Sequence, residues 1–216
     1  GVLVVRFQYI PETFGLIFKY AFQPQAIIGG GFGMAIKTAI SQGAKRGLFS
    51  NEAGMGSTPH AHALAVVKNP HEQGCVAMVG VFIDTFIVLT LNALVIISTL
   101  YAGNGPLANG YAGEAAETLK NTNLAQAAFG IVYGSRAGAV FVAICLFFFA
   151  FSTILGWNLF AKINVTYLFG KRAQKPFVLV ALVFIFLGTI GESDLVWSLS
   201  DMFNQLMVIP NAIALF

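Results

Sequence analysis

The chain has 216 residues, of which 57% are hydrophobic and 10% charged, with a formal net charge of +3. Soluble domains carry about 25% charged residues, and a mean hydropathy of +0.77 leaves too little polar surface to cover such a chain in water. Lipid is the expected solvent, and the small net charge gives no ground for a nucleic-acid partner.

In chain order, the apolar opening Gly1–Val5 ends at Arg6 and is too short for a signal peptide. It is expected to be the tail of an earlier span, and the chain to be a fragment. Ala21 to Ile36 is apolar but holds four glycines, in the run Gly29-Gly30-Gly31-Phe32-Gly33. A helix there would lose up to about 1 kcal/mol per glycine relative to alanine, so a broken helix is expected over about 21–45. Unwound backbone at membrane depth is tolerated only where it lines a cavity or is buried in protein, and freed carbonyls and half-helix N-termini there suit cations and carboxylates. The alternative is close helix packing through small residues.

A polar, glycine-studded island follows at Gly43–Ser57, and the loop 46–73 is expected on the cytoplasmic side. Thr58-Pro59 opens a short amphipathic helix, 59–68. Asn69-Pro70-His71-Glu72 has the pattern of an N-cap, a proline in the first helical position and a glutamate three residues after the cap. Spans of about 20 apolar residues cross a bilayer; these are expected at about 74–102, 137–168, 176–191 and 195–216. Short helices at Glu114–Leu119 and Leu124–Ile131 are expected in the outer loop, and Ser193 is a candidate cap for the last span. Lys45, Arg46 and Lys68 precede the first of these spans, and Lys171, Arg172 and Lys175 separate the second from the third. The hairpin with Glu192 and Asp194 has no base. Basic residues collect on the cytoplasmic side, so loops 46–73 and 170–175 are expected inside a multi-pass plasma-membrane protein.

Four features could carry chemistry. The first is the glycine run. The second is Ser152-Thr153 with Trp157: hydroxyls and backbone carbonyls are hard ligands suited to sodium, and Thr153 and Trp157, four apart, share a helix face. The alternative is that the hydroxyls back-bond to their own helix. The third is Asp84-Thr85, with Thr90 and Asn92; a carboxylate within a span costs a few kcal/mol and is a functional candidate by default, and Thr85 and Asn92, seven apart, are expected on one face. The fourth is His60-Ala61-His62 with His71; residues two apart diverge on a helix and make poor joint metal ligands. Cys75 and Cys145 are expected to be unpaired apolar fillers. No hydrolase, zinc-peptidase or phosphate-loop pattern occurs, and the chain is expected not to be an enzyme.

Lys45-Arg46-Gly47-Leu48-Phe49-Ser50-Asn51-Glu52-Ala53-Gly54-Met55-Gly56-Ser57 resembles the hallmark segment of the alanine or glycine:cation symporter family, also called sodium:alanine symporters. Phe82-Ile83-Asp84-Thr85, Phe149–Trp157, and Asp201–Met207 with Pro210-Asn211 resemble further blocks of that family, in order. The resemblance implies an all-α polytopic membrane protein of the LeuT-type inverted-repeat fold, coupling inward sodium, or alternatively protons, to uptake of small neutral amino acids such as alanine and glycine. It implies that residues 29–33 are the break of the sixth core helix, that Gly74–Tyr101 is the seventh and Ala137–Leu168 the eighth. It also implies substrate contacts from Gly29, Gly30, Gly31, Phe32, Thr153 and Trp157, and a sodium site at Ala150, Ser152 and Thr153. Asn51, Glu52 and Asp84 are the gate or coupling candidates. The first five core helices of that fold are expected to be missing apart from a tail. A non-transporting membrane subunit of the same fold is the rival reading.

Overall fold

A computed structural model describes residues 1–22, 41, 43–47, 49–52, 54–108, 119 and 123–215. The glycine run at 29–33 and residues 114–118 of the helix expected at 114–119 lie outside the described residues. Every regular element among the described residues is helical. They are α1 (Val2–Val5), a 3-10 turn (Phe7–Tyr9), α2 (Ile10–Phe22), α3 (Thr58–His62), α4 (Pro70–Phe82), a π-helical segment (Ile83–Val88), α5 (Leu89–Leu100), α6 (Leu124–Tyr133), α7 (Ser135–Phe169), a second 3-10 turn (Lys171–Ala173), α8 (Gln174–Ile190) and α9 (Ser193–Leu215). Three stretches, Pro70–Leu100, Ser135–Phe169 and Lys171–Ile190, are long and apolar enough to cross a membrane. Helix α9 covers the expected last span but is not among them, because Asp201, Asn204, Gln205 and Asn211 dilute its apolar residues.

The chain forms two compact units. The first takes residues 1–40 and 86–150. Its small core is Leu100, Leu107 and Ala128, with Val95, Ile96, Tyr101 and Leu124 packed against them. The end of α5 is closed from two sides. The Leu107 N–H donates to the Leu100 carbonyl at 2.8 Å, and the Arg6 guanidinium forks onto the Ser98 carbonyl at 2.9 and 2.6 Å while lying over the Tyr9 ring. A cation at a helix C-terminus offsets the partial negative charge of the last carbonyls. Gly134, at φ 88°, ends α6. The corner it makes brings Gly138 of α7 so close to α6 that a Cβ there would lie 2.4 Å from the Gly130 nitrogen.

The second unit takes residues 41–85 and 151–216. It holds the polar island, α3, α4, the later half of α7, α8 and α9. Pro70 occupies the first turn of α4, where a missing N–H costs nothing. Asn69 is extended, as the residue before a proline prefers, and its backbone carbonyl, not its side chain, accepts the Glu72 N–H at 3.1 Å. Helix α3 stops at His62, shorter than the expected 59–68. Three-residue bonds from Leu64 to Ala61 and Ala65 to His62 tighten and end it, and the β-branched pair Val66-Val67 offers little to extend it. Ser193 is the first residue of α9 and does not cap it; the Glu192 carbonyl accepts the first helical bond, from Val196. Both cysteines are free thiols.

The apolar faces of α7 and α8 are largely uncovered, with Phe147, Phe148, Phe149, Phe184 and Phe186 each more than 60% exposed. Apolar exposure on this scale marks surface meant for lipid. The Gly130–Gly138 contact is backbone on backbone, so no side chain can move to relieve an added methyl. Gly138→Ala is expected to destabilise the protein by about 1–3 kcal/mol, the usual range for overpacking; thermal unfolding of the detergent-solubilised variant checks this as a lower midpoint.

Candidate functional site

The polar island is folded back on itself. The Glu52 N–H donates to the Phe49 carbonyl and the Met55 N–H to the Glu52 carbonyl, each at 3.3 Å. Glu52 sits at φ 58°, a left-handed geometry that a non-glycine residue adopts at a cost of about 1–2 kcal/mol. The Ser57 hydroxyl offsets part of that cost by reaching both the Glu52 carbonyl (3.3 Å) and its Oε2 (3.1 Å). Gly56, at φ 75°, leaves no room for a side chain: a Cβ would lie 2.6 Å from Asn211 Oδ1. Met55 and Ser57 are buried.

Two helices hold this segment. Ser50 Oγ donates to Asp84 Oδ2 at 2.8 Å, and Asn51 Nδ2 donates to Thr85 Oγ1 at 3.2 Å. Asp84 and Thr85 open the π segment Ile83–Val88. Single π turns inside α-helices recur at functional sites, and this one removes the continuous α geometry on which the alignment of Thr85 with Asn92 depended. On the other side, Asn211 Nδ2 donates to the Gly54 carbonyl at 3.0 Å. Arg46 pairs with Asp201 at 3.3 Å and stands 5.3 Å from the Trp197 ring centroid. Asn211 follows Pro210, which lies inside α9 and leaves the Leu206 carbonyl without its helical donor. The gate or coupling candidates Asn51, Glu52 and Asp84 therefore fall in one hydrogen-bonded assembly.

Between the segment and α9 lies an open cleft of about 290 Å³, lined among others by Lys45, Phe49, Met55, Asp201, Asn204 and Gln205. A shallower hollow of about 480 Å³ shares Lys45, Asp201 and Gln205. In the sequence Lys45 stands out as a loop base and within the hallmark segment, and Asp201 and Gln205 only within a resemblance block.

Ala150, Ser152, Thr153 and Trp157 follow one another along α7, which is unbroken there. Ser152 and Thr153 are exposed. The half-buried Trp157 meets Phe160 edge-on, with centroids 5.9 Å apart. Gly29, Gly30, Gly31 and Phe32 lie outside the described residues. His60 and His62 go to different partners. His60 lies between the Ser57 carbonyl (3.0 Å) and the Asn164 side chain (3.2 Å to Oδ1, 3.0 Å to Nδ2), and His62 receives Gln73 Nε2 at 2.6 Å.

Residues 1–216 match the model of the sodium:alanine symporter family. The sodium/alanine symporter AgcS of Methanococcus maripaludis is 38% identical over 99% of this chain and 44% of its own length. The sodium/proton-dependent alanine carrier protein of Bacillus sp. PS3 is 35% identical over 100% of this chain and 48% of its own. The probable sodium/glutamine symporter GlnT of Bacillus subtilis is 35% identical over 100% of this chain and 42% of its own. The chain thus spans less than half the length of the curated relatives it matches. No solved structure matches it. With its hallmark segment, its apolar helices and a family model matched from end to end, the chain belongs to the sodium:alanine symporter family.

Proposed function

We propose that this chain is part of a secondary symporter of the LeuT-type fold, coupling inward sodium to uptake of small neutral amino acids such as alanine and glycine. The observation that carries the reading is the attachment of the family's hallmark segment, through Ser50 and Asn51, to the carboxylate and hydroxyl of the π segment at Asp84 and Thr85. A polar segment tied to an irregular turn of an apolar helix suits an element that changes its packing, which alternating access requires. Family membership and the names of the relatives support the cation and the cargo.

In this reading Ala150, Ser152 and Thr153 hold sodium. Because α7 is continuous, the Ala150 carbonyl already accepts within the helix and offers its second lone pair. Gly29, Gly30, Gly31 and Phe32, with Thr153 and Trp157, hold the zwitterion, and Trp157 walls a small side-chain pocket. Such a pocket separates substrates differing by one methylene by only about 1–3 kcal/mol, so alanine and glycine both pass. Asn51, Glu52 and Asp84 couple cation binding to the movement of the segment. The protein is multi-pass in the plasma membrane, with loops 46–73 and 170–175 on the cytoplasmic side. Proton coupling is the second reading: Asp84 is a protonatable group within an apolar helix, and the PS3 relative is named for both cations.

Two variants of the full polypeptide test this in vesicles. Thr153→Ala is expected to raise the sodium concentration for half-maximal alanine uptake about tenfold, as loss of one ligand worth about 1.4 kcal/mol would, with unchanged expression; an unmoved midpoint removes Thr153 from the sodium site. Asp84→Asn still offers Ser50 an acceptor but no charge. It is expected to abolish concentrative uptake while counterflow exchange persists, and normal uptake would show that Asp84 serves packing alone.

A further inference from the structure

We propose that the basic turn joining α7 to α8 is a binding site for the headgroup of an anionic phospholipid, in the leaflet that the turn faces. Lys171, Arg172 and Lys175 put three cations into five residues. Their level in the bilayer follows from the two helices they join. Ser135–Phe169 and Lys171–Ile190 are both long and apolar enough to cross a membrane. Only residues 170–173 separate α7 from α8, so the turn lies at one face of the bilayer. Helix α8 has 17 residues, about 25 Å at 1.5 Å each, against a hydrocarbon layer about 30 Å thick. A span that short keeps its charged end at the boundary, because moving out into water would draw apolar residues from the lipid. Lys175 is the second residue of α8 itself. The three cations therefore stand at headgroup level.

No acidic group among the described residues answers them. Residues 118–191 contain no Asp or Glu. All three side chains are exposed, and none makes an ion pair or hydrogen bond among the described residues. The first turn of α8 has no acidic residue either, so the positive end of the helix dipole adds to their field instead of being offset. The backbone that carries the cations is held by a chain of short bonds. The Gly170 N–H donates to the Thr166 carbonyl at 3.0 Å, and the Ala173 N–H returns to the Gly170 carbonyl at 3.2 Å. Gln174 Nε2 donates to Thr166 Oγ1 at 2.5 Å, and that hydroxyl donates to the Lys162 carbonyl at 2.6 Å. Such a cluster has the chemistry of a phosphate site: a guanidinium forks onto two oxygens, and lysines add point charges. The flanking surface favours a phosphate that carries acyl chains. Tyr167, Leu168 and Phe169 before the turn, and Leu179 and Val180 one turn into α8, are exposed. Tyrosine suits the headgroup level, and acyl chains descending from the turn would lie along the aliphatic side chains.

The site is independent of the cargo and of the coupling ion, so its failure leaves the transport reading standing. The full polypeptide is reconstituted in vesicles of phosphatidylcholine mixed with phosphatidylglycerol and extracted in mild detergent, and the phospholipid retained per chain is measured by native mass spectrometry. Wild type is expected to retain phosphatidylglycerol in preference to phosphatidylcholine, and excess inorganic phosphate is expected not to displace it. Arg172→Gln is expected to weaken that retention about fivefold, the effect of one base near an anionic surface. Lys171→Gln combined with Lys175→Gln is expected to weaken it about twenty-five-fold on the same scale, and Lys171→Arg combined with Lys175→Arg to preserve it. The single change Arg172→Gln stands in where the double neutralisation fails to reach the membrane. Glu192→Gln with Asp194→Asn, beyond the other end of α8, is expected not to weaken retention. Equal retention of the two lipids by wild type, or undiminished phosphatidylglycerol in every variant that lacks a base, overturns the site. Displacement by inorganic phosphate shows a site for soluble anions and overturns the lipid assignment.

Discussion

Irregular backbone has to find partners for the N–H and C=O groups that a helix would have satisfied, and the chain around Glu52 and Gly56 depends on that constraint. It solves it with short turns of its own and with side chains lent by two helices. Asn211 takes the Gly54 carbonyl, and Ser57 takes the Glu52 carbonyl. Neither donor is replaceable by an apolar residue of similar size, because an unmet buried carbonyl costs about 1–3 kcal/mol. Glycine at 56 follows from the same geometry: once Asn211 is near enough to donate, no Cβ fits opposite it. The small and polar residues at 50, 51, 54, 56 and 57 thus serve one packing problem.

That packing couples groups that look unrelated along the chain. Asp84 and Asp201 are more than a hundred residues apart, yet each is held by a residue of the same short segment, Ser50 and Arg46. The left-handed Glu52 comes just after both attachments in the chain. An exposed ion pair in water contributes about 0–1 kcal/mol, so Arg46–Asp201 alone would be a weak clasp. Its value lies in combination with the three neutral hydrogen bonds around it.

The helices were legible because their signals are local. Pro70 after Asn69 marks the start of α4, Gly134 and Gly191 mark helix ends, and the charge-free run from Ala137 to Ala161 runs through most of α7. Helix α2 has no counterpart among the expected elements, although Pro11 and Glu12 stand where a helix start favours them. The π segment left no trace in composition: Ile83–Val88 is as apolar as its neighbours, and a π turn is decided by what docks against it. For the same reason Asp84 could be flagged as costly while its partner could not be named. Ser50 lies 34 residues away, and nothing in a linear pattern pairs a serine with one carboxylate over another.

Charge counting treats the island by its composition alone. Two bases, several glycines and three hydroxyl or amide residues in a short stretch have the composition of a loop in water, and the rule that puts basic residues at the cytoplasmic face treats them so. That rule counts charges without their partners. Arg46 brings its own partner, Asp201, and an aromatic neighbour, Trp197, while half of its side chain stays exposed. Two adjacent bases with the same sequence signal therefore differ in what they touch: Arg46 fastens the segment to α9, and Lys45 lines the open cleft without an ion pair among the described residues.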